Sequence, residues 1–124
     1  MRFVSTRTHG IIDYIAGIVI LASPWIFGFA DETAAQWVPV VVGVLLLGSA
    51  LMTDYEFGVV TLIPVPVHLG LDILAGLLLA VSPWLLGFSD RVWWPHLLLG
   101  AFEVMASLIT RTTVGTETPA TNNV

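Results

Sequence analysis

The sequence predicts an all-α membrane protein with four transmembrane helices, and three observations lead to this fold class. Of the 124 residues, 56% are hydrophobic and only 10% are charged, whereas a soluble domain is about a quarter charged. Four apolar runs divide the chain, and they form two copies of one pattern. Because a short chain has a large surface for its volume, we expect the surplus apolar surface to face lipid.

The first run of each copy is an ungapped internal repeat. Residues 9–31 align with residues 68–90, which lie 59 positions further along the chain. Most of the pairs that are not identical exchange one apolar residue for another, which preserves an apolar segment. The identical pairs are His9/His68, Asp13/Asp72, Ala16/Ala75, Gly17/Gly76, Ser23/Ser82, Pro24/Pro83, Trp25/Trp84, Gly28/Gly87, Phe29/Phe88 and Asp31/Asp90.

A second apolar run follows in each copy, at 37–53 and 94–110, where Gly43 aligns with Gly100. A helix needs about 20 residues to cross a bilayer, and an open sheet cannot span lipid. Each repeat is therefore predicted to be two transmembrane helices. An even number of crossings makes the repeats parallel, and we expect a pseudo-twofold axis along the membrane normal.

These runs divide the chain into five parts. We expect an N-terminal segment 1–8, a first repeat 9–54, a linker 55–66, a second repeat 67–111 and a disordered polar tail 112–124. Arginines set the expected orientation, with Arg2, Arg7 and Arg111 on one side and Arg91 on the other. The positive-inside rule then places both termini in the cytoplasm, with the helices in the cell membrane.

The Ser-Pro-Trp motif is expected to kink or end the first helix of each repeat and to anchor it at the outer surface. Proline removes a backbone donor, so a kink or a break is predicted near Ala22; in the simplest structure the helix breaks there and the serine is the N-cap of a short following turn. Tryptophan favours the membrane interface. The residues concerned are Ser23, Pro24, Trp25, Ser82, Pro83 and Trp84.

The duplicated Ser-Pro-Trp-x-x-Gly-Phe, each copy preceded by His-x-x-x-Asp, resembles the SPW-repeat membrane proteins of bacteria and archaea. The resemblance runs from His9 to Thr110, and both copies are complete. It implies a small multi-pass membrane protein. The family carries no established biochemical activity, so the resemblance assigns no functional residues.

A polar stripe is predicted inside the membrane on the first helix of each repeat. His9, Asp13 and Gly17 follow one another at intervals of four residues and so share one helical face. Charged side chains at this depth face the bundle interior, and glycine allows a close helix approach. The same spacing recurs in His68, Asp72 and Gly76, and Gly43 and Gly100 are further close-packing candidates.

Three interpretations of this stripe stay open. Each histidine can pair with its own aspartate or with loop backbone and stabilise the bundle. Asp13 and Asp72 can instead take part in proton or cation movement. His9 and His68 can also ligate a haem or a metal, as facing helices of bundles do.

Glu103 breaks the repeat, because its counterpart is Leu46. A carboxyl group in the middle of a helix at this depth is expected to face inward and to hydrogen-bond a neighbouring helix, or to serve proton-coupled transport. His96, next to Pro95, is expected at the outer boundary without a functional role.

Composition and motifs exclude several classes of function. The chain has no cysteine and only four basic residues, which argues against disulfides, thiol chemistry and nucleic-acid binding. There is no nucleophile–base pattern, phosphate loop or metal motif. We expect no enzymatic activity, no cofactor and no metal site.

The best interpretation is a structural or partner-binding membrane component that contacts the lipid bilayer. It is expected to form a homo-oligomer or to be a subunit of a larger assembly, because so small a bundle has little interior of its own. The first alternative is a small proton- or cation-coupled transporter or channel that uses Asp13, Asp72 and Glu103. The second is a haem- or quinone-binding redox subunit that uses His9 and His68.

Overall fold

A computed structural model of the chain describes residues 2–114, and these form four α-helices. In chain order they are α1 (Thr6–Ile26), α2 (Ala34–Leu51), α3 (Val65–Leu85) and α4 (Trp94–Leu108). The all-α fold class predicted from the sequence is confirmed. The expected disordered tail lies largely outside the described residues.

Three of the helices, α1, α2 and α3, are long and apolar enough to cross a membrane. Helix α4 has 15 residues, about 22 Å of helix, which is short for a crossing. Its flanks nevertheless reach both ends of the bundle. The rings of Trp94 and Phe27 are 5.2 Å apart at one end, and Thr110 contacts His9 at the other. That α4 crosses the membrane stays a prediction.

The helices pack as two pairs, α1 with α2 and α3 with α4, through glycines that allow the backbones to meet. A Cβ atom added at Gly43 would lie 2.7 Å from the backbone nitrogen of Leu21, and one at Gly17 would lie 2.7 Å from the Leu47 side chain. In the second pair a Cβ at Gly76 would lie 2.8 Å from the carbonyl oxygen of Gly100. These four glycines therefore lie where side chains would push the helices apart.

The two pairs meet in a small apolar core of Ile20, Val42, Leu46 and Leu79. Short backbone pairings also join them at the end of the bundle where α1 begins. Val4 pairs with Thr110, and Ile63 pairs with Thr53. Since Val4 and Ile63 occupy matching positions in the two repeats, as do Thr53 and Thr110, the pairings correspond. The pseudo-twofold axis itself stays a prediction.

The predicted helix break at the Ser-Pro-Trp motif is wrong. Helix α1 continues through Pro24 to Ile26, and α3 continues through Pro83 to Leu85. Proline leaves the carbonyl four residues earlier without its N–H donor. The serine hydroxyl supplies a replacement, since Ser23 Oγ donates to Ile20 O at 2.7 Å and Ser82 Oγ donates to Leu79 O at 2.8 Å. The serines are thus not N-caps but substitutes for the proline N–H.

A third proline is compensated in the same way, but from another helix. Pro39 lies inside α2 and frees the carbonyl of Ala35. His96 Nε2 donates to that oxygen at 2.8 Å. His96 is buried, and this hydrogen bond gives it a structural role that the sequence analysis did not assign. Its hydrogen bond joins α4 to α2.

The remainder of the motif ends the helix. Gly28 and Gly87 have φ values of 75° and 77°, which glycine adopts without a steric penalty. The next N–H turns back to the proline carbonyl, from Phe29 to Pro24 O and from Phe88 to Pro83 O, each at 2.8 Å. This is the Schellman arrangement, with glycine in the left-handed position. Both phenylalanines are buried, whereas Trp25 and Trp84 are exposed beside the helix ends.

Replacing Ser82 by alanine is expected to lower the free energy of unfolding by about 1–3 kcal/mol, because Leu79 O is then buried without a donor. Replacing Pro83 as well restores a backbone N–H in the helix, so the double variant Ser82→Ala/Pro83→Ala should recover most of the loss. Unfolding in detergent, followed by circular dichroism, measures both effects. A double variant less stable than the single one would refute this account of the motif.

Candidate functional site

The candidate site is a ring of two histidines and two aspartates that joins the repeats. Each residue comes from the first half of α1 or α3, where the spacing of four turns the histidine and its aspartate to one face. The two faces meet inside the bundle. The ring comprises His9, Asp13, His68 and Asp72, and no side chain in it is more than 2% exposed.

Each histidine contacts the aspartate of its own repeat and that of the other. His9 Nε2 lies 2.9 Å from Asp13 Oδ1 and 3.0 Å from Asp72 Oδ2. His68 Nε2 lies 2.7 Å from Asp13 Oδ2 and 3.1 Å from Asp72 Oδ2. The ring therefore closes across the two repeats, which the spacing within one helix cannot reveal.

The other nitrogen of each imidazole is held by a threonine. His9 Nδ1 lies 2.8 Å from Thr110 Oγ1, and His68 Nδ1 lies 2.8 Å from Thr53 Oγ1. Each threonine hydroxyl donates its one hydrogen to a helix carbonyl, that of Ala106 or Ser49. It can then only accept from the imidazole, so both histidines carry a proton on Nδ1.

This donor count determines what the centre of the ring contains. Each Nε2 atom lies within hydrogen-bond distance of two carboxylate oxygens, and one proton at each Nε2 atom, shared between its two contacts, accounts for them. With two such protons the four side chains are neutral together, either as imidazolium–carboxylate pairs or as neutral groups. Without them the ring would carry two negative charges in a medium of low dielectric constant, which is strongly unfavourable.

Aromatic side chains of the α2–α3 loop seal one side of the ring. The Tyr55 ring stacks on His68 with centroids 5.9 Å apart, and Phe57 packs beside it. Gly10 makes room for both, because a Cβ atom there would lie 2.6 Å from each ring. Burial raises the pKa of the Tyr55 phenol, so this hydroxyl stays protonated.

Glu103 lies outside the ring but close to its outer edge. It is fully buried, and among the described residues neither carboxyl oxygen has a hydrogen-bond partner. The expected bond to a neighbouring helix is therefore not formed, since Glu103 packs against Gly76, which has no side chain to donate. Ser107, one turn further along α4, lies 3.5 Å from Asp72 Oδ2.

At the opposite end an ion pair joins the two helix-connecting loops. Arg91 Nη1 donates to Asp31 Oδ2, and both side chains are partly exposed. A hydrogen bond from Thr33, with the charge of Arg91, lowers the pKa of Asp31. Because the pair is solvated, it contributes little to stability.

Sequence reasoning named the four ring residues and Glu103 but missed the groups that support them. Thr53 and Thr110 were visible as matched polar positions at the ends of the second apolar runs. Tyr55 gave no signal, because its loop has no counterpart in the other repeat.

The two histidine ring centroids lie 5.7 Å apart, and the aspartates fill the space between them, so the ring leaves no room for a haem macrocycle.

Removing one member of the ring should cost more than removing all four. Asp13→Leu leaves His68 without a carboxylate of the other repeat, and the free energy of unfolding should fall by about 3–5 kcal/mol. Replacing all four residues by leucine leaves no unpaired polar group, so that variant should be the more stable of the two. Asp31→Asn, in the exposed pair, is the matched control. Thermal unfolding in detergent measures the stability of each variant. A quadruple variant less stable than Asp13→Leu would contradict the closed ring.

Comparison with known proteins agrees with the duplicated motif and the helical fold. The model of the SPW repeat domain family matches residues 7–110, which is most of the chain. The searches of curated proteins and of solved structures give no match. The chain is a small membrane protein, and it belongs to the SPW repeat domain family.

Proposed function

We propose that this chain is a structural component of the cell membrane, a rigid four-helix unit on which further copies or another membrane protein assemble. The closed His–Asp ring is the observation that carries this proposal. Its nitrogen atoms are all paired within the chain, and the ring joins the repeats at one end of the bundle. A group that moved protons or ions through the ring would need an opening, whereas these side chains are at most 2% exposed.

The outer surface supports the second half of the proposal. Large apolar side chains point away from the core in the middle of every helix, including Ile15, Leu45, Leu74 and Leu98. Lipid covers such a surface, and so does another apolar helix. A four-helix unit with so small an interior gains buried area by assembly.

The proposed placement has both termini in the cytoplasm. Arg2 and Arg7 lie at the end of the bundle where α1 begins, and Arg111 follows α4 at that same end. Arg91 lies at the other end, where the five tryptophans also lie. The end that carries three of the four arginines is the cytoplasmic one by the positive-inside rule. A cysteine introduced at Thr61 in this cysteine-free chain, inaccessible to an impermeant reagent in intact cells, would agree with it.

The assembly role is tested by gentle extraction from the native membrane and native mass spectrometry. We expect a complex heavier than one chain, either a homo-oligomer or a complex with a defined partner. Changing Ile15, Leu45, Leu74 and Leu98 to tryptophan one at a time then locates the contact. A lipid-facing position tolerates the larger ring, but a packed interface does not. A single chain with no partner in the wild type would overturn the proposal.

A second candidate function, proton-coupled transport, is favoured by Glu103. A buried carboxyl group that finds no hydrogen-bond partner among residues 2–114 is an unusual feature for a purely structural helix. Ser107, one turn after Glu103 in α4, contacts Asp72. The three carboxyl groups at this depth, those of Asp13, Asp72 and Glu103, could then exchange protons during a transport cycle.

Reconstitution in liposomes loaded with a pH-sensitive dye separates the two functions. Transport predicts a proton flux in the wild type that falls at least tenfold in Glu103→Gln, a substitution of almost equal volume. Asp31→Asn, which changes an exposed carboxylate, should keep that flux. Equal traces from the wild type, Glu103→Gln and protein-free vesicles would rule the second candidate out and leave the structural role.

A further inference from the structure

The ring of four side chains has the composition and the spacing of a site for a transition metal. We infer that His9, Asp13, His68 and Asp72 bind one divalent first-row transition-metal ion of the Zn²⁺ class. This departs from the expected absence of a metal site and extends the open alternative in which His9 and His68 ligate a metal, because Asp13 and Asp72 complete the ligand set. The inference is independent of the assembly role.

The distances fit such an ion. Each residue offers one ligand atom, and the four atoms lie within 4.8 Å of one another. Ligands about 2.1 Å from a tetrahedral zinc ion stand about 3.4 Å apart. The four N···O separations are 2.7–3.1 Å, so these pairs need to move apart by a few tenths of an ångström, and any pair near the 4.8 Å limit needs to move closer.

The surroundings of the histidines also fit. A metal-ligating histidine donates its other ring N–H to an oxygen acceptor, which fixes the tautomer and the ring direction. The Nδ1–H groups of His9 and His68 are held in this way by Thr110 and Thr53. Both Nε2 lone pairs are then directed into the centre of the ring.

A buried carboxylate oxygen provides a further indication. In the described part of the chain Asp72 Oδ1 is buried and accepts no hydrogen bond, and the contact of Asp13 Oδ1 is with a ring member, His9 Nε2. A cation would satisfy the excess of acceptors. It would also balance the charge, since two carboxylates with two neutral imidazoles neutralise one divalent ion.

The choice of ion follows from the ligand types. Imidazole nitrogen favours zinc and its transition-metal neighbours, whereas magnesium and calcium prefer oxygen ligands throughout.

The experiment uses the full chain in detergent, stripped with a chelator, dialysed and titrated with Zn²⁺ or Co²⁺. We expect one ion per chain by elemental analysis, and for Co²⁺ the intense visible bands of a tetrahedral complex. Asp13→Asn and His9→Gln should lose the stoichiometric ion. Glu103→Gln, which removes a buried carboxylate outside the ring, is the matched control and should retain it.

Thr53→Val keeps every ligand and removes the acceptor of His68 Nδ1–H, together with the hydroxyl's bond to Ser49 O, so it tests the site even if a ligand variant does not fold. It should weaken binding by about 10- to 100-fold. Circular dichroism confirms that each variant is helical. A folded wild type that binds no ion, or that binds no more tightly than Thr53→Val and Asp13→Asn, would overturn the inference. A single chain in native mass spectrometry with the ion bound would instead reject only the assembly role.

Discussion

Charge neutrality inside a medium of low dielectric constant is the constraint on which this bundle depends. Two aspartates at membrane depth can persist only if protons or cations balance them, and the chain solves this by bringing a histidine from each repeat against both carboxylates. That solution requires α1 and α3 to meet face to face at one level. The glycines that allow each pair to pack closely, the threonines that orient the imidazoles and the aromatic loop that covers them all follow from holding this ring closed.

A second constraint is that every buried backbone N–H and C=O group needs a hydrogen-bond partner. The three prolines inside helices show how the chain meets it. Each proline frees one carbonyl, and a side-chain donor occupies it: a serine hydroxyl in α1 and α3, and the His96 imidazole in α2. In water such a carbonyl would be solvated at small cost, but in lipid it must find a partner within the protein. The Ser-Pro-Trp motif is therefore a way to carry a proline at the end of a membrane helix without an unpaired group.

Much of the fold could be predicted because the repeat and the apolar runs are local properties of the sequence. The spacing of His9 and Asp13 shows that they share a face, but it cannot show that Asp13 also meets His68, since that contact depends on how the two helix pairs dock. The break expected at Pro24 was wrong, because the expectation considered only the missing N–H of proline. The hydroxyl group of the neighbouring Ser23 replaces that donor. Glu103 was placed inside the bundle by its position, whereas its missing partner depends on Gly76 of another helix.

The compensation of Pro39 by His96 has a consequence for the order of synthesis. The serines that complete α1 and α3 are neighbours in sequence, so each of those helices is saturated as soon as it forms. Helix α2 is different, because the donor to Ala35 O lies 61 residues further along the chain. The first helix pair to leave the ribosome thus carries one carbonyl whose donor has not yet been synthesised. The hydrogen bond that completes α2 therefore forms only when the second pair docks on the first.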